Sequence, residues 1–375
     1  MALDQPFAPA PGAVSIVDLF AGPGGLDVAA EWLGLPAVGV EWDPDACATR
    51  AAAGLHTVER DVRDVGPGAF PGASVLAGGP PCQTFTVAGT GVGRRALDRV
   101  LELVALMADG RDVAERLDTM DDVRTGLVLE PLRWTLDAVS RDEAYEVVVL
   151  EQVPAVLPVW EAMAAVLEGV GYRTDTGILR TEQFGVPQTR RRAILVARRG
   201  EQPHLPEPTH RPYRSGVDRE QGDPRLRPWE TMGGTLDRPG PFAVVSNYGT
   251  GGDPRARGRR TSQEPSATVT GKIRRNRVIG RGGATGERFT NSEAGLLQTF
   301  PHDYPWSGND IGQQIGNAIP PRLAVHVLAA ALDIGLDADA LDECVRASWR
   351  DAARAPLGRR AADRDLVGAP AGTGS

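Results

Sequence analysis

Residues 14–44, VSIVDLFAGPGGLDVAAEWLGLPAVGVEWDP, decide the fold of this chain. A short apolar run, VSIVDLF, is followed by glycines and then by a helical pattern from about Gly25. A second apolar run, AVGVEW, comes next, and a second helix is expected from Pro44. Strand, helix and strand in this order predict a parallel pair with a helix packed across it.

The same alternation continues outward to about residue 200, through SVLAGG, VVVLEQV, VWEAMAAVLEG and AILVARR. It predicts an α/β fold, a parallel sheet with helices on both faces, in which ligands bind beyond the carboxyl ends of the strands. Residues 91–144 carry apolar positions at helical spacing, which indicates helices inserted between two strands.

After Arg199 the sequence is rich in Pro, Gly and Arg with little periodicity, which predicts a small loop-rich second domain. Further on, SEAGLLQTF and PPRLAVHVLAAALDIGL are expected to be helices that pack back on the sheet. We therefore divide the chain into a large domain, a small domain, a returning segment that completes the large domain, and a disordered tail: 1–199, 200–286, 287–350 and 351–375.

The composition narrows the classes of protein. Three widely spaced cysteines among 375 residues give neither a disulfide framework nor a CxxC metal site, so we expect reduced thiols and no metal. No apolar run is nearly long enough to span a membrane, and the first residues lack the pattern of a signal peptide. We therefore expect an intracellular, cytoplasmic protein that does not bind a membrane.

The net charge of −8 argues weakly against a surface that binds nucleic acid all over, but residues 255–288 form a basic segment. The segment contains ten arginine and lysine residues, and its acidic residues are only Glu264 and Glu287. Such a segment is typical of a nucleic-acid contact, and a solvated charged loop is the alternative.

Four segments carry candidate chemistry. The glycines after Asp18 allow a ligand to approach the backbone closely, although such turns serve many cofactors. Glu41 could accept hydrogen bonds from ribose hydroxyls, beside Trp42, which could stack on adenine. Asp61 could bind an exocyclic amine or be a surface carboxylate. Cys82, in the rigid turn GGPPCQTF, is the candidate nucleophile.

These motifs, in their order, resemble those of the cytosine-5 DNA methyltransferase family. The matching series is DLFAGPGG, EWDPDAC, GGPPCQTF, the Glu of LEQV, QFGVPQTRRR, SEAGLLQTFP and QQIGNAIPP, and it extends from about 14 to 335. The resemblance implies a Rossmann-like class I methyltransferase sheet and a target-recognition domain at 200–286. It also implies transfer of a methyl group from S-adenosylmethionine, with S-adenosylhomocysteine as product, to a flipped-out cytosine in duplex DNA.

The resemblance also implies catalytic roles. Cys82 would add to carbon 6 of cytosine, which makes carbon 5 nucleophilic, and Glu151 would present a proton to ring nitrogen 3. Arg192 would donate to the carbonyl at carbon 2, and Arg190 would help hold phosphate or the catalytic loop. Alternate residues of a strand point to one face, which suits this arginine pair.

For the cofactor, the resemblance implies the following residues: Phe20, Gly22, Gly24, Glu41, Trp42, Asp61, Val62 and Asn317. For the substrate, we expect contacts from a second set: Pro80, Gln83, Gln188, Arg257, Arg259, Arg260, Arg274 and Arg275. Single residues of this second set cannot be assigned to phosphates or base edges from one sequence.

Two positions depart from the family pattern: Gln152 stands where Asn is common, and Thr86 where Ser is common. Both keep hydrogen-bonding capacity, so we expect modest kinetic effects. Two other functions fit the same residues, methylation of cytosine in transfer RNA and a catalytically silent DNA-binding homologue. We also expect the protein to be a monomer and to have a cognate restriction endonuclease that acts on the same site.

Overall fold

The computed structural model describes residues 13, 15–81, 91–111, 113, 116–117, 123–246, 258–280, 285–354 and 357. Its strands are β1 (Ile16–Leu19), β2 (Ala37–Glu41), β3 (Thr57–Glu59), β4 (Val75–Gly78), β5 (Val147–Gln152), β6 (Tyr172–Arg180), β7 (Arg191–Arg199), β8 (Ala243–Val245), β9 (Arg259–Thr261), β10 (Arg277–Ile279) and β11 (Thr285–Glu287). Its helices are α1 (Gly25–Leu33), α2 (Pro44–Ala53), α3 (Gly91–Ala108), α4 (Val123–Gly126), α5 (Glu130–Ser140), α6 (Leu157–Gly169), α7 (Met232–Thr235), α8 (Asn291–Leu297), α9 (Ile311–Asn317), α10 (Pro321–Leu332), α11 (Ala338–Arg346) and α12 (Trp349–Arg354).

The large sheet has seven strands in the order β3-β2-β1-β4-β5-β7-β6. The first five are parallel to their neighbours, as the alternation of strands and helices predicts. β7 runs antiparallel to both β5 and β6, so the expectation of a parallel sheet is wrong at this edge. The cause is the connection from β6 to β7, which is too short for the crossover that parallel strands require.

Each face of the large sheet covers its own apolar core, because successive residues of a strand point to opposite faces. Val17 and Leu19 of β1 belong to the core that includes Val100 of α3 and Trp160 of α6. Ile16 belongs to the opposite core, with residues of α1, α10 and α11. Helices therefore cover both faces, which confirms the expected fold class.

The small sheet is antiparallel, with the order β11-β10-β8-β9. Its core contains Phe242, Val244 and Val278 together with Leu297 of α8 and Ile315 of α9. The returning segment thus contributes to the small domain as well as to the large one. Residues 311–332, which include α9 and α10, are apolar and long enough to cross a membrane, but 78% of an 18-residue window within them is buried inside the protein.

Candidate active site

A cavity of about 610 Å³ opens at the carboxyl ends of β1, β2, β4 and β5. Its walls come from the turns that follow these strands and from α9 and α10 of the returning segment. This is the edge where ligands bind in sheets of this kind. The volume lies in the usual range for pockets that hold small molecules and cofactors.

Glu41, at the tip of β2, fastens two of these turns together. One carboxylate oxygen accepts from the backbone N–H of Gly22 at 2.7 Å, and the other accepts from Trp42 and Asp43 at 2.8 Å each. The oxygen facing Gly22 keeps a lone pair for a further donor, such as a hydroxyl. Beside it the indole of Trp42 is 63% exposed, so it is available for stacking.

The turn after β1 has an unusual backbone. Phe20 lies in the left-handed region with φ 60°, which is uncommon for a residue other than glycine, and Gly24 has φ 100°. A Cβ atom at Gly24 would lie 2.3 Å from Leu55 and 2.9 Å from the hydroxyl of Tyr304, so a larger residue would displace these side chains and strain the backbone. Phe20 and Gly22 line the cavity, and Gly24 shapes the turn from below.

Glu151 and Arg192 meet in the same cavity, where the tip of β5 faces the start of β7. Their side chains form an ion pair and are only 12% and 11% exposed. The atoms in contact are Oε1 of Glu151 and Nε of Arg192. A planar group with adjacent donors and acceptors could bind beside this pair, against the rest of the carboxylate and the guanidinium.

The turn that carries the candidate nucleophile is described as far as Pro81, which lines the cavity. Cys82, Gln83 and Thr86 lie outside the described residues, and so does Arg257 of the basic segment. The structure places the residue that precedes Cys82 in the same cavity as Glu151.

Gln152 connects β5 to this turn. Its side-chain amide donates to the carbonyl of Pro80 at 2.5 Å, and its carbonyl oxygen accepts from the backbone N–H of Val153 at 2.5 Å. The residue that departs from the family pattern thus has a defined task, since it ties the Pro-Pro turn to the strand that carries Glu151.

Arg190 was expected to hold phosphate or the catalytic loop; its burial argues against the first role, and the loop after Pro81 lies outside the described residues. Arg190 is 1% exposed, and it donates to the backbone carbonyls of Val269, Gly316 and Ala318 at 2.9–3.2 Å. Burial lowers the pKa of its guanidinium well below the usual range, and the nearby Arg192 acts in the same direction. Arg190 therefore joins the small domain to the returning segment.

Gln188 is also fully buried, so its expected contact with substrate is corrected. Its amide donates to Leu297 at 3.2 Å and Gln298 at 2.5 Å, and its oxygen accepts from the backbone of Val269 at 2.7 Å. Sequence motifs mark both residues but do not tell whether a polar side chain faces a ligand or the interior.

Asp61 and Val62 do not line the cavity as described here. Asp61 forms an ion pair with Arg63 at 2.6 Å, and the hydrogen bond from Arg63 lowers the pKa of its carboxyl. The side chain of Val62 is buried and its carbonyl accepts from Trp134 at 3.2 Å. Their expected contact with the adenine remains a prediction.

Asn317, in contrast, lies on the cavity wall, and its Oδ1 accepts from Gln313 at 2.8 Å. The wall is fastened to α2 by Gln314, which accepts from the hydroxyl of Thr49 at 2.6 Å and donates to the carbonyl of Asp45 at 3.1 Å. These hydrogen bonds could not be identified from the sequence, because Gln314 and its partners in α2 are distant along the chain.

Asp18 is a further lining residue that the sequence reasoning did not single out. It is 4% exposed, and burial raises the pKa of its carboxyl well above the usual range. The nearby Asp27 adds to the rise, whereas Arg50 opposes it. A polar residue inside the apolar run VSIVDLF was the available signal.

The arginines of the small domain fall into two groups. Arg259, Arg274 and Arg275 are exposed. Arg260 instead donates to Thr189 at 3.1 Å and to the carbonyl of Pro265 at 3.0 Å, and its guanidinium lies 4.5 Å from the ring centre of Tyr213. Contacts of these four with substrate remain predictions. Among the described residues no cluster of His, Cys, Asp and Glu could hold a metal ion.

Solved structures identify the class of fold. The Dnmt2 methyltransferase of S. pombe superposes with a TM-score of 0.57 at 17% identity, covering 85% of this chain and 98% of that one. The Entamoeba histolytica methyltransferase EhMeth superposes with a TM-score of 0.54 at 13% identity, covering 86% and 98%. The fold is thus a methyltransferase fold.

Comparison of sequences gives the family. Residues 14–101 and 144–223 match the model of the C-5 cytosine-specific DNA methylases. Type II methyltransferase M1.HphI of Haemophilus parahaemolyticus is 27% identical over 85% of this chain and 87% of its own length. Type II methyltransferase M.NgoFVII of Neisseria gonorrhoeae is 26% identical over 86% and 87%. The chain belongs to the C-5 cytosine-specific DNA methylase family and is a DNA cytosine-5 methyltransferase.

Proposed function

We propose that this protein transfers a methyl group from S-adenosylmethionine to carbon 5 of a cytosine flipped out of duplex DNA, through a covalent Cys82 adduct at carbon 6. One observation carries the proposal. The Glu151–Arg192 pair lies in the same cavity as Glu41 and Trp42, and the described chain reaches Pro81, directly before Cys82, in that cavity.

The turns after β1 and β2 suit a nucleoside cofactor. Glu41 is held by three backbone N–H groups and keeps acceptor capacity for ribose hydroxyls, and the exposed indole of Trp42 offers a face for adenine. The positive φ angles of Phe20, Gly22 and Gly24 bring the backbone close to the cavity, where the methionine part would lie. When bound, S-adenosylmethionine supplies an electrophilic methyl group.

The second half of the cavity suits cytosine. Glu151 would donate a proton to ring nitrogen 3 while Arg192 donates to the carbonyl at carbon 2, so the ring becomes electron-poor at carbon 6. The Cys82 thiolate then adds there, and carbon 5 gains the electron density to take the methyl group. Loss of the proton from carbon 5 to water or hydroxide expels the thiolate, and the proton on nitrogen 3 returns to Glu151.

The small domain would hold the DNA during this reaction. Extrusion of a base costs a few kcal/mol of stacking and pairing, so contacts on both sides of the gap are needed. The exposed Arg259, Arg274 and Arg275 supply charge for such contacts. Arg190 and Gln188 fix the position of the small domain relative to the cavity. A cognate restriction endonuclease, as the names of the Type II relatives suggest, would act on the same site.

The test is bisulfite sequencing of unmethylated plasmid after incubation with the purified protein and S-adenosylmethionine, alongside a Cys82→Ala control. We expect protected cytosines within one short motif, absent in the control. A duplex with 5-fluorocytosine at the protected position should trap the parent protein covalently and leave Cys82→Ala free, because fluorine cannot leave as a proton does.

Two results would contradict the proposal. Methyl transfer from labelled cofactor to folded RNA, but not to plasmid, would reassign the substrate to RNA. DNA binding with cofactor bound but without methyl transfer to either nucleic acid would identify a catalytically silent homologue.

A further inference from the structure

The cleft beside the cytosine pocket contains two arginines that the family motifs leave without a role. Arg180 is the last residue of β6 and Arg191 the first residue of β7, and the sheet register places them directly opposite each other. Both side chains are exposed. Directly opposed residues on antiparallel strands have Cβ atoms about 5 Å apart, so two like charges there repel each other.

Among the described residues neither arginine forms an ion pair or a side-chain hydrogen bond, and the acidic side chain that they both act on electrostatically, Glu182, is buried. The same two strands offer a comparison at their other end, where Arg173 opposes Arg198. There Arg198 forms an ion pair with Glu201 at 2.9 Å. A pair of exposed cations without an ion-pair partner, next to Arg192, has the charge to bind an anion.

Arg180 and Arg191 line a second cavity of about 450 Å³, which shares Arg190 and Arg192 with the first. Its far wall is Tyr213 of the small domain. Leu179, next to Arg180, opposes Arg192, so the pair lies one residue along the strands from the arginine that contacts Glu151.

Glu182 is the acidic residue in this lining, and it is only 3% exposed. Burial raises the pKa of its carboxyl, against the opposing effect of Arg180, Arg260 and Arg191. The exposed charge of the cavity is therefore positive.

We propose that Arg180 and Arg191 form a phosphate clamp that binds two phosphodiester groups of the target strand next to the flipped cytosine. This inference rests on the proposed function. The clamp would hold the strand where Arg192 and Glu151 receive the base, so that part of the binding energy offsets the cost of extrusion.

The test compares the parent with the double variant Arg180→Ala/Arg191→Ala, with Arg173→Ala/Arg198→Ala as matched control. Duplex binding is measured as a function of NaCl concentration. Each neutralised phosphate contributes about 0.9 to the slope of log K against log salt concentration, so the double variant should lose about 1.8 from the slope. The matched control should keep the slope of the parent.

Two further measurements separate a phosphate clamp from a structural role. Removal of two repelling charges should leave the melting temperature equal or higher, whereas loss of a structural contact would lower it. Methylphosphonate groups at the two phosphates flanking the target cytosine should weaken binding by the parent and have little further effect on the double variant, as in a mutant cycle.

The outcomes distinguish the two proposals. An unchanged slope in the double variant, with methyl transfer intact, would overturn the clamp alone. A reduced slope in a protein that transfers no methyl group would support the clamp and contradict the proposed reaction. A parent protein that does not bind duplex DNA would overturn both.

Discussion

Replacement of Gln152 by Met tests how the Pro-Pro turn is positioned. Met has nearly the same length but neither donates to the carbonyl of Pro80 nor accepts from the N–H of Val153. Each hydrogen bond contributes about 0.5–1.5 kcal/mol, so the variant should lose about 2 kcal/mol of stabilisation around the turn. If this loss falls entirely on the reactive position of Cys82, methyl transfer slows by roughly thirtyfold.

The assay is single-turnover methyl transfer from labelled S-adenosylmethionine to a duplex oligonucleotide, with both partners saturating. Gln152→Asn is the matched variant, because its amide is one methylene shorter and can reach only one of the two partners. It should lose about 1 kcal/mol and react about fivefold more slowly than the parent. A rate for Gln152→Met within twofold of the parent would refute this reasoning, and so would a Gln152→Asn variant faster than the parent.

Three further predictions follow from buried polar groups. Glu41→Ala removes the acceptor of three backbone N–H groups, so the Kd for S-adenosylmethionine should rise at least tenfold by calorimetry; an unchanged Kd would contradict the assignment of this turn. Arg190→Met removes a donor to the carbonyls of Val269, Gly316 and Ala318 and should lower the free energy of unfolding by about 3–5 kcal/mol in urea titrations; a loss below about 1 kcal/mol would disagree. Burial lowers the pKa of His210 and His326 to about 3, so protons bind the unfolded chain first as the pH falls below about 6.5. Stability should therefore decrease from pH 6.5 toward pH 3, by about 1.4 kcal/mol per pH unit for each histidine, and His326→Gln should make the decrease shallower.

The sequence predicts well those strands whose apolar composition, length and flanking residues all indicate the same structure. β1, β2, β4 and β5 are short apolar runs followed by glycine, proline or acidic residues, and such runs are buried strands of a sheet covered on both faces. β6 was not predicted, because Tyr172–Arg180 carries charges at both ends and is only partly buried, as an edge strand is. The three-residue strands of the small sheet are too short to show a period.

The candidate site divides in the same way. Glu41, Glu151 and Arg192 could be predicted because they stand at strand ends in motifs, and the structure brings them to one cavity. The burial of Arg190 could not be predicted, because its partner carbonyls belong to residues 79–128 positions away along the chain. The task of Gln152 likewise depends on Pro80, 72 residues earlier.

The cavity wall that contains Gln314 and Asn317 is synthesised long after the turns that it faces. A ribosome that synthesises about 5–20 residues per second completes Glu41 roughly a quarter of a minute to a minute before it reaches Asn317. The turns after β1 and β2 therefore gain this wall only after the residues up to Asn317 have been synthesised. A product of premature termination before residue 310 carries the arginines of the small domain but lacks this wall of the cavity.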